Sequence, residues 1–344
     1  MRAAVLHGKQ DVRIEDVDVP SLAPGDVLLR TSVALTCGTD LKVYRRGYHA
    51  RMIVPPALFG HEIAGTIEAV GPGVTGFREG ERVVAANSAP CGSCEYCRAE
   101  RPSLCDDLLF WNGAYAQFAR IPARVVEQNL LRVPEGVKDE HAAMVEPLAC
   151  VLRGVASVRP GDSVAVLGSG GIGLMFVALA KARGARVVSV GRNPEKLARA
   201  RALGADALLR VGSDVALADA LMEASPGGKG FHLVVEAAGQ AETSQAALGA
   251  VRKGGVVNLF AGCAAGTEIA LDAPRVHYEE IVVTATFHHT PQSIRAALRQ
   301  LADPAFDAGA LITTRVPLDR LPALLAEMAR GGDSLKAAVL PWSG

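Results

Sequence analysis

The sequence predicts an α/β protein in two domains, one mainly β and the other a doubly wound parallel sheet. Three observations lead there. The chain has 344 residues, more than one hydrophobic core usually serves. Short β-branched runs broken by turn residues fill the stretch up to about Cys150, and from about Val151 strands alternate with helix-length apolar patterns. The first of those strands, Val164 to Leu167, runs directly into the glycine-rich turn Gly168-Ser169-Gly170-Gly171-Ile172-Gly173.

Composition narrows the class. With 49% hydrophobic and 21% charged residues, and 36 Lys+Arg against 36 Asp+Glu, the chain has no excess positive charge to offer nucleic acid. No apolar run reaches the roughly 18 residues that a membrane-spanning helix needs, because the longest, around Ile172 to Ala180, stops at Lys181. The N-terminal stretch MRAAVLHGKQDVRIEDV alternates like a strand and lacks a cationic segment followed by an apolar one, so a cytoplasmic location is expected. Seven cysteines is an odd number, and four of them fall within Cys91 to Cys105. In a reducing compartment such a cluster points to metal rather than to disulfides.

In the first domain the strand-like runs are VLLRTSV, EIAGTIEAV, ERVVAAN and YAQFARIP, with Pro55-Pro56, Pro72 and Pro90 at loops. The stretch Phe59 to Val74, FGHEIAGTIEAVGPGV, offers His61 and Glu62 as adjacent donors about two dozen residues after the thiol of Cys37-Gly38-Thr39-Asp40. A thiolate, an imidazole and a carboxylate together suit zinc, and three protein ligands leave one position open for chemistry. Its glycines, Gly60, Gly65, Gly71 and Gly73, imply sharp turns or close backbone packing. Taken singly, His61 fits a core histidine and Cys37 a small buried hydrophobe; their arrangement favours a site. Downstream, Cys91-x2-Cys94-x2-Cys97-x7-Cys105 brings four thiolates into one short loop. Such a set closes a tetrahedral zinc shell with no open position, which makes it structural. Glu146, in Val145-Glu146-Pro147-Leu148-Ala149, reads by itself as a helix cap at the domain boundary.

The second domain begins with the turn after Val164 to Leu167. In that context Gly168 makes the bend, Gly170 lets the backbone approach a pyrophosphate, and Gly173 lets helix meet strand, with Gly171 and Ile172 opening a helix whose N-terminus receives the phosphates. Roughly 20 positions further on, where an acidic residue would bind the ribose 2′-hydroxyl, the chain has Gly191, followed by Arg192, Asn193 and Lys196. Loss of the carboxylate and gain of a guanidinium favour NADP(H), with NAD(H) as the second choice; the competing reading is that Arg192 and Lys196 only decorate a helix start. After an expected strand from Ile281 to Phe287, the pattern ends with a helix in LPALLAEMARGG and a strand in LKAAVLP.

The residues Gly60, His61, Glu62, Gly65, Gly71 and Val74 match the zinc signature of the medium-chain alcohol dehydrogenases, and the cysteine loop is similar to their structural zinc lobe. The resemblance covers essentially the whole chain. It implies a GroES-like catalytic domain, residues 1–150 and 290–344, around a Rossmann domain, residues 151–289. It also implies two zinc ions per chain and a homodimer or homotetramer. The Glu-Pro-Leu segment resembles the polyol and threonine dehydrogenase branch, where a glutamate reaches the catalytic zinc. Glu146 thus joins Cys37, His61 and Glu62, and which glutamate is the direct ligand stays open. Thr39 matches the position that passes the alcohol proton outward, or else it is a turn residue; Asp40 resembles the carboxylate that orients the zinc histidine.

The implied activity is hydride transfer between a secondary alcohol (polyol, sugar alcohol, cyclitol or amino alcohol) and a nicotinamide cofactor. A threonine-type or simple alcohol dehydrogenase is the alternative. Lys42 departs from the threonine enzymes, which have histidine there; its ammonium is expected to contact a substrate hydroxyl or carboxylate, the alternative being that its flexible stem carries it to solvent. His288 and His289 line the substrate pocket or form a polar loop at a subunit contact. A zinc-free reductase of the same superfamily would lack Cys37, His61 and Glu62, and a non-catalytic nucleotide-binding homologue would show no alcohol-dependent reduction.

Overall fold

The computed structural model describes residues 1–49, 51–212 and 216–343. The chain divides into two compact units, Met1–Ala149 with His289–Gly344, and Cys150–His288. These borders lie one residue earlier than the expected 150/151 and 289/290. His289 is the reason at the second border: it is buried, and its Nε2 lies 3.0 Å from Asn87 Oδ1, which ties it to the first unit.

In the first unit a three-stranded sheet has the order Asp11–Asp16, Arg2–Gly8, Ala57–Leu58. Beside it, a seven-stranded sheet runs Leu130–Arg132, Arg82–Ala85, Glu62–Val70, Val27–Leu35, Lys336–Leu340, Ile312–Pro317, and Phe118–Ile121 also pairs with Val27–Leu35. The β-branched runs seen in the sequence supply these strands, since branched side chains pack well on a pleated, half-buried surface. Phe59, Ile63, Ile67, Leu29, Tyr115 and Leu325 belong to one buried cluster on it. The register decides where chemistry can sit. Leu35 faces Glu62 across the antiparallel pair, so the end of one strand and the start of the next share an edge, bringing Cys37 and His61 together. The strand Lys336–Leu340 pairs antiparallel with the same partner through Ala338 and Leu35, which delivers Lys336 to that edge from the far end of the chain.

The second unit is a six-stranded parallel sheet in the order Ala207–Arg210, Arg186–Gly191, Ser163–Leu167, Phe231–Glu236, Val251–Leu259, Val282–Ala285. The strand order reverses beside Ser163–Leu167, which makes the ends of this strand and of Phe231–Glu236 the switch point of a doubly wound sheet. Ser163–Leu167 is buried throughout, as a central parallel strand must be, and the apolar run from Val164 to Leu167 follows. The strand expected at Ile281–Phe287 is shorter, Val282–Ala285. It is the edge strand, so only one side has a partner to hold the ladder, and it carries exposed side chains.

Candidate active site and metal centres

The helix Gly38–Arg46 begins where the strand Val27–Leu35 ends, and Cys37 is its N-cap. The Cys37 Sγ accepts from the Thr39 N–H at 3.5 Å while Asp40 Oδ2 accepts from the Cys37 N–H at 2.9 Å, a reciprocal cap that fixes the thiol at the sheet edge. Asp40 is buried, and its Oδ1 lies 3.0 Å from His61 Nδ1. The pairing expected between these residues is therefore present. With Nδ1 held by Asp40, the other ring nitrogen of His61 is the one left for a metal.

Cys37, His61 and Glu62 present donor atoms within 4.8 Å of one another. Burial works to lower the affinity of His61 for a proton, but the Asp40 charge and hydrogen bond, with Cys37 adding, hold it well above its ordinary value. That preference for positive charge in a buried spot suits a cation, and sulfur, nitrogen and oxygen donors together fit zinc.

Glu62 carries a partner that sequence reasoning missed. Lys336 is 3% exposed; its Nζ donates to Glu62 Oε1 at 2.7 Å, Oε2 at 2.5 Å and the Thr36 carbonyl at 3.0 Å. Burial pushes the Glu62 carboxyl up to about 7 against the pull of Lys336, while Lys336 is held above its ordinary value by Glu62 despite its own burial. The signal in the sequence was a lysine at the head of the otherwise apolar run LKAAVLP, a position where a charge needs a buried counter-charge. Glu146 lies near the start of the helix Val145–Gly154, buried, with its carboxylate within 4.8 Å of a ring nitrogen of His289. Its charge also raises both Glu62 and Lys336.

Tyr115 is the second residue missed, and nothing in NGAYAQF marks it. Fully buried, it sends its hydroxyl to Asp40 Oδ2 at 2.5 Å. Burial, then the Asp40 charge, push its phenol well above the ordinary range, so it remains a donor. Gly60, next to His61, has φ 89°, and a Cβ there would come within 2.5 Å of the Tyr115 ring. Thr39 is half-buried in the first turn of its helix, and Lys42 is exposed on the same helix.

Cys91, Cys94, Cys97 and Cys105 converge with their sulfurs within 4.8 Å of one another. The Cys91 sulfur accepts the Ser93 and Cys94 N–H groups at 3.5 and 3.3 Å, which bring its thiol down to about 6; burial pushes Cys105 up to about 12. Four sulfurs in one loop, with no carboxylate or imidazole among them, fit a closed tetrahedral zinc shell.

In the second unit, Gly168 follows Ser163–Leu167 with φ 117°, and Gly170 is the N-cap of the helix Gly171–Ala182. A Cβ on Gly173 would lie 1.7 Å from the Gly168 carbonyl oxygen, so only glycine lets this helix start so close to the strand. Ile172 sits in the first turn. Gly191 ends the strand Arg186–Gly191, where a Cβ would meet Ser169 Oγ at 2.3 Å and its Cβ at 2.8 Å. Asn193 caps the next helix, Pro194–Ala202, by accepting the Lys196 N–H at 3.0 Å. Arg192 is exposed and forms no ion pair among the described residues.

A sheet with a dinucleotide turn and a sheet with a cysteine–histidine metal edge together define a zinc-binding dehydrogenase. Family models agree: residues 23–135 match the alcohol dehydrogenase GroES-like domain, and residues 171–303 match the zinc-binding dehydrogenase domain. The chain belongs to the zinc-dependent medium-chain dehydrogenase family and is an oxidoreductase acting on CH–OH groups of small molecules. Among its relatives, a sorbitol dehydrogenase of Bacillus subtilis (strain 168) is 30% identical over 99% of this chain and 97% of its own. An L-threonine 3-dehydrogenase of Rhizobium etli (strain CIAT 652) is 31% identical over 99% of both chains. Of solved structures, an alcohol dehydrogenase from Thermus sp. ATN1 superposes with TM-score 0.89, at 30% identity over 99% of both chains. A protein from Sinorhizobium meliloti 1021, solved bound to NADP, also gives 0.89, at 28% identity and the same coverage. No helix among the described residues is long and apolar enough to cross a membrane.

Proposed function

We propose that the chain oxidises a secondary alcohol of the polyol, sugar-alcohol, cyclitol or amino-alcohol class, or reduces the matching ketone, with NADP(H) as its preferred cofactor. The observation that carries this is the edge at which Cys37, His61 and Glu62 meet, with Asp40 holding the histidine and Lys336 the glutamate. Two zinc ions per chain are proposed, one at that edge and one at the four cysteines. The polyol class rests on the sorbitol dehydrogenase relatives and on Glu146 standing near the same edge.

Zinc held at the Cys37–His61 edge would supply Lewis acidity toward an alcohol oxygen, and a nicotinamide dinucleotide held at the Gly168–Gly173 turn would supply a hydride acceptor. The chain supplies the rest. Cys37 and His61 are ligands in either arrangement, with Glu62 or Glu146 completing the set of three; Asp40 keeps the imidazole in the ligating tautomer. Lys336 neutralises Glu62 beside them, so the edge does not become over-anionic. Thr39 takes up the hydroxyl proton and passes it outward, a task that needs only a group able to accept and donate at once. In the second unit the N-terminus of the helix Gly171–Ala182 receives the pyrophosphate, and Arg192 offers its guanidinium to a 2′-phosphate.

Self-association is also proposed, as a homodimer or homotetramer. Its support is the sheet edge Val282–Ala285, with Val282 and the nearby Leu271, Tyr278 and Phe287 exposed.

The test is a screen of secondary alcohols, polyols, cyclitols and amino alcohols with both cofactors, combined with metal analysis. Turnover only with primary alcohols, or an active chain holding one metal, overturns the respective parts of the reading. Light scattering on the same preparation reads the assembly.

A further inference from the structure

We propose that Tyr115 is a positioning residue of the metal centre, acting through Asp40 on Cys37 and His61 together. The inference rests on the reading of those two residues as metal ligands. A single carboxylate serves both of them. Asp40 Oδ2 accepts from the backbone N–H of Cys37 at 2.9 Å, and Oδ1 faces His61 Nδ1 at 3.0 Å. A carboxylate in that role must itself be held, because rotation about its Cβ–Cγ bond would release both contacts. Tyr115 holds it, through a hydroxyl 2.5 Å from Oδ2. The Leu35 carbonyl is a second acceptor at 3.0 Å, but the hydroxyl has one proton, and the nearer, charged acceptor takes it.

The tyrosine is fixed by further contacts, to the histidine segment at Phe59 and Gly60 and to the first strand at Ala4. Its ring meets Phe59 edge-on at 5.7 Å and 70°. Its backbone N–H donates to the Phe59 carbonyl at 3.0 Å, and its carbonyl accepts the Ala4 N–H at 2.8 Å. Its ring also fills the space that a side chain at position 60 would need. A residue placed only to fill the core would do this with phenylalanine. The hydroxyl is the extra group, and both of its acceptors are at the metal edge.

The test compares the zinc-loaded, full-length wild type with Tyr115→Phe, Asp40→Asn and the double variant, following zinc release into a chromogenic chelator. The zinc at the four cysteines serves as an internal reference. Removing a group that orients a metal ligand typically costs ten- to a hundredfold in metal affinity, and Tyr115 stands one bond further out, so release from the Cys37–His61 site is expected to quicken about tenfold. Release from the cysteine site stays as it was, and Tyr115→Phe adds nothing further once Asp40 is Asn. A lowered melting temperature with unchanged release would make Tyr115 merely structural and overturn the inference, as would full additivity in the double variant. A wild type that holds zinc only at the four cysteines overturns the metal reading itself, and Tyr115 with it.

Discussion

Replacing Lys336 by methionine tests the metal edge where its electrostatics are most exposed to error. The ammonium is buried and bonded to both Glu62 oxygens and to a carbonyl, so the substitution leaves Glu62 enclosed in protein without its counter-charge, forced either to stay charged or to take up a proton. Breaking one side of a buried ion pair costs about 3–5 kcal/mol, whereas replacing both sides with neutral groups is close to neutral. Lys336→Met and Glu62→Gln are therefore each expected to destabilise by about 3–5 kcal/mol, and the double variant by far less than their sum. The chain has two tryptophans, and both Trp111 and Trp342 lie in the first unit, so their fluorescence in urea follows the unit that contains the pair. That matters because a two-unit chain need not unfold in one step. Should Lys336→Met cost as much in the Glu62→Gln background as in the wild type, the loss would come from packing alone and the reasoning would fail.

Arg192→Ala is expected to reduce the preference for NADP over NAD by about ten- to a hundredfold in kcat/KM, the equivalent of one charge-assisted bond of about 1.5–3 kcal/mol; a wild type that prefers NAD refutes it. Gly191→Asp is a poorer probe, because its Cβ would displace Ser169 inside the dinucleotide turn and weaken both cofactors together. Lys42, expected from the sequence to contact substrate, is exposed on its helix; Lys42→Ala is on that ground expected to leave kcat/KM on the best substrate within about twofold, and a larger fall would assign Lys42 to the substrate after all. Glu140, bonded through both oxygens to Arg315, has its carboxyl held below 4.5, first by that hydrogen bond; its contribution is complete above 4.5 and is lost as the pH falls through the folded value. Glu140→Gln should thus cost about 0.5–1 kcal/mol near neutral pH and nothing measurable well below pH 4, a difference that urea midpoints at the two pH values can read.

Where the chemistry depends on residues close in sequence, it could be read directly. The cysteine loop, the His61–Glu62 dipeptide, the Cys37–Asp40 turn and the glycine run each carry their geometry in their spacing, because a strand end or a helix start positions all members at once. What escaped is what arrives from elsewhere. Lys336 reaches Glu62 only through the pairing of Ala338 with Leu35, and Tyr115 reaches Asp40 only because its strand neighbourhood folds beneath Gly60. Neither contact leaves a periodic trace. The edge strand near residue 282 came out shorter than its apolar run suggested, since β-propensity cannot tell a strand with two neighbours from one with a single neighbour. Gly191 shows a different limit: the absence of an acid there can be seen in the sequence, but not that Ser169 fills the space a side chain would need.

The partnership of Glu62 with a residue 274 positions later sets the order in which the molecule can mature. A ribosome making about 5–20 residues per second leaves the nascent glutamate waiting roughly 15–55 s for its lysine. During that time the Ala34–Leu35 end of the strand Val27–Leu35 has an open flank, since Phe118–Ile121 covers only Val27–Arg30 on that side, Lys336–Leu340 has not been made, and Ile312–Pro317 beyond it is equally late. An unpaired flank of that kind is a template for other chains. The second unit has every strand of its own sheet in hand before Lys336 emerges, so a dinucleotide domain can be complete on a chain whose metal edge is still open.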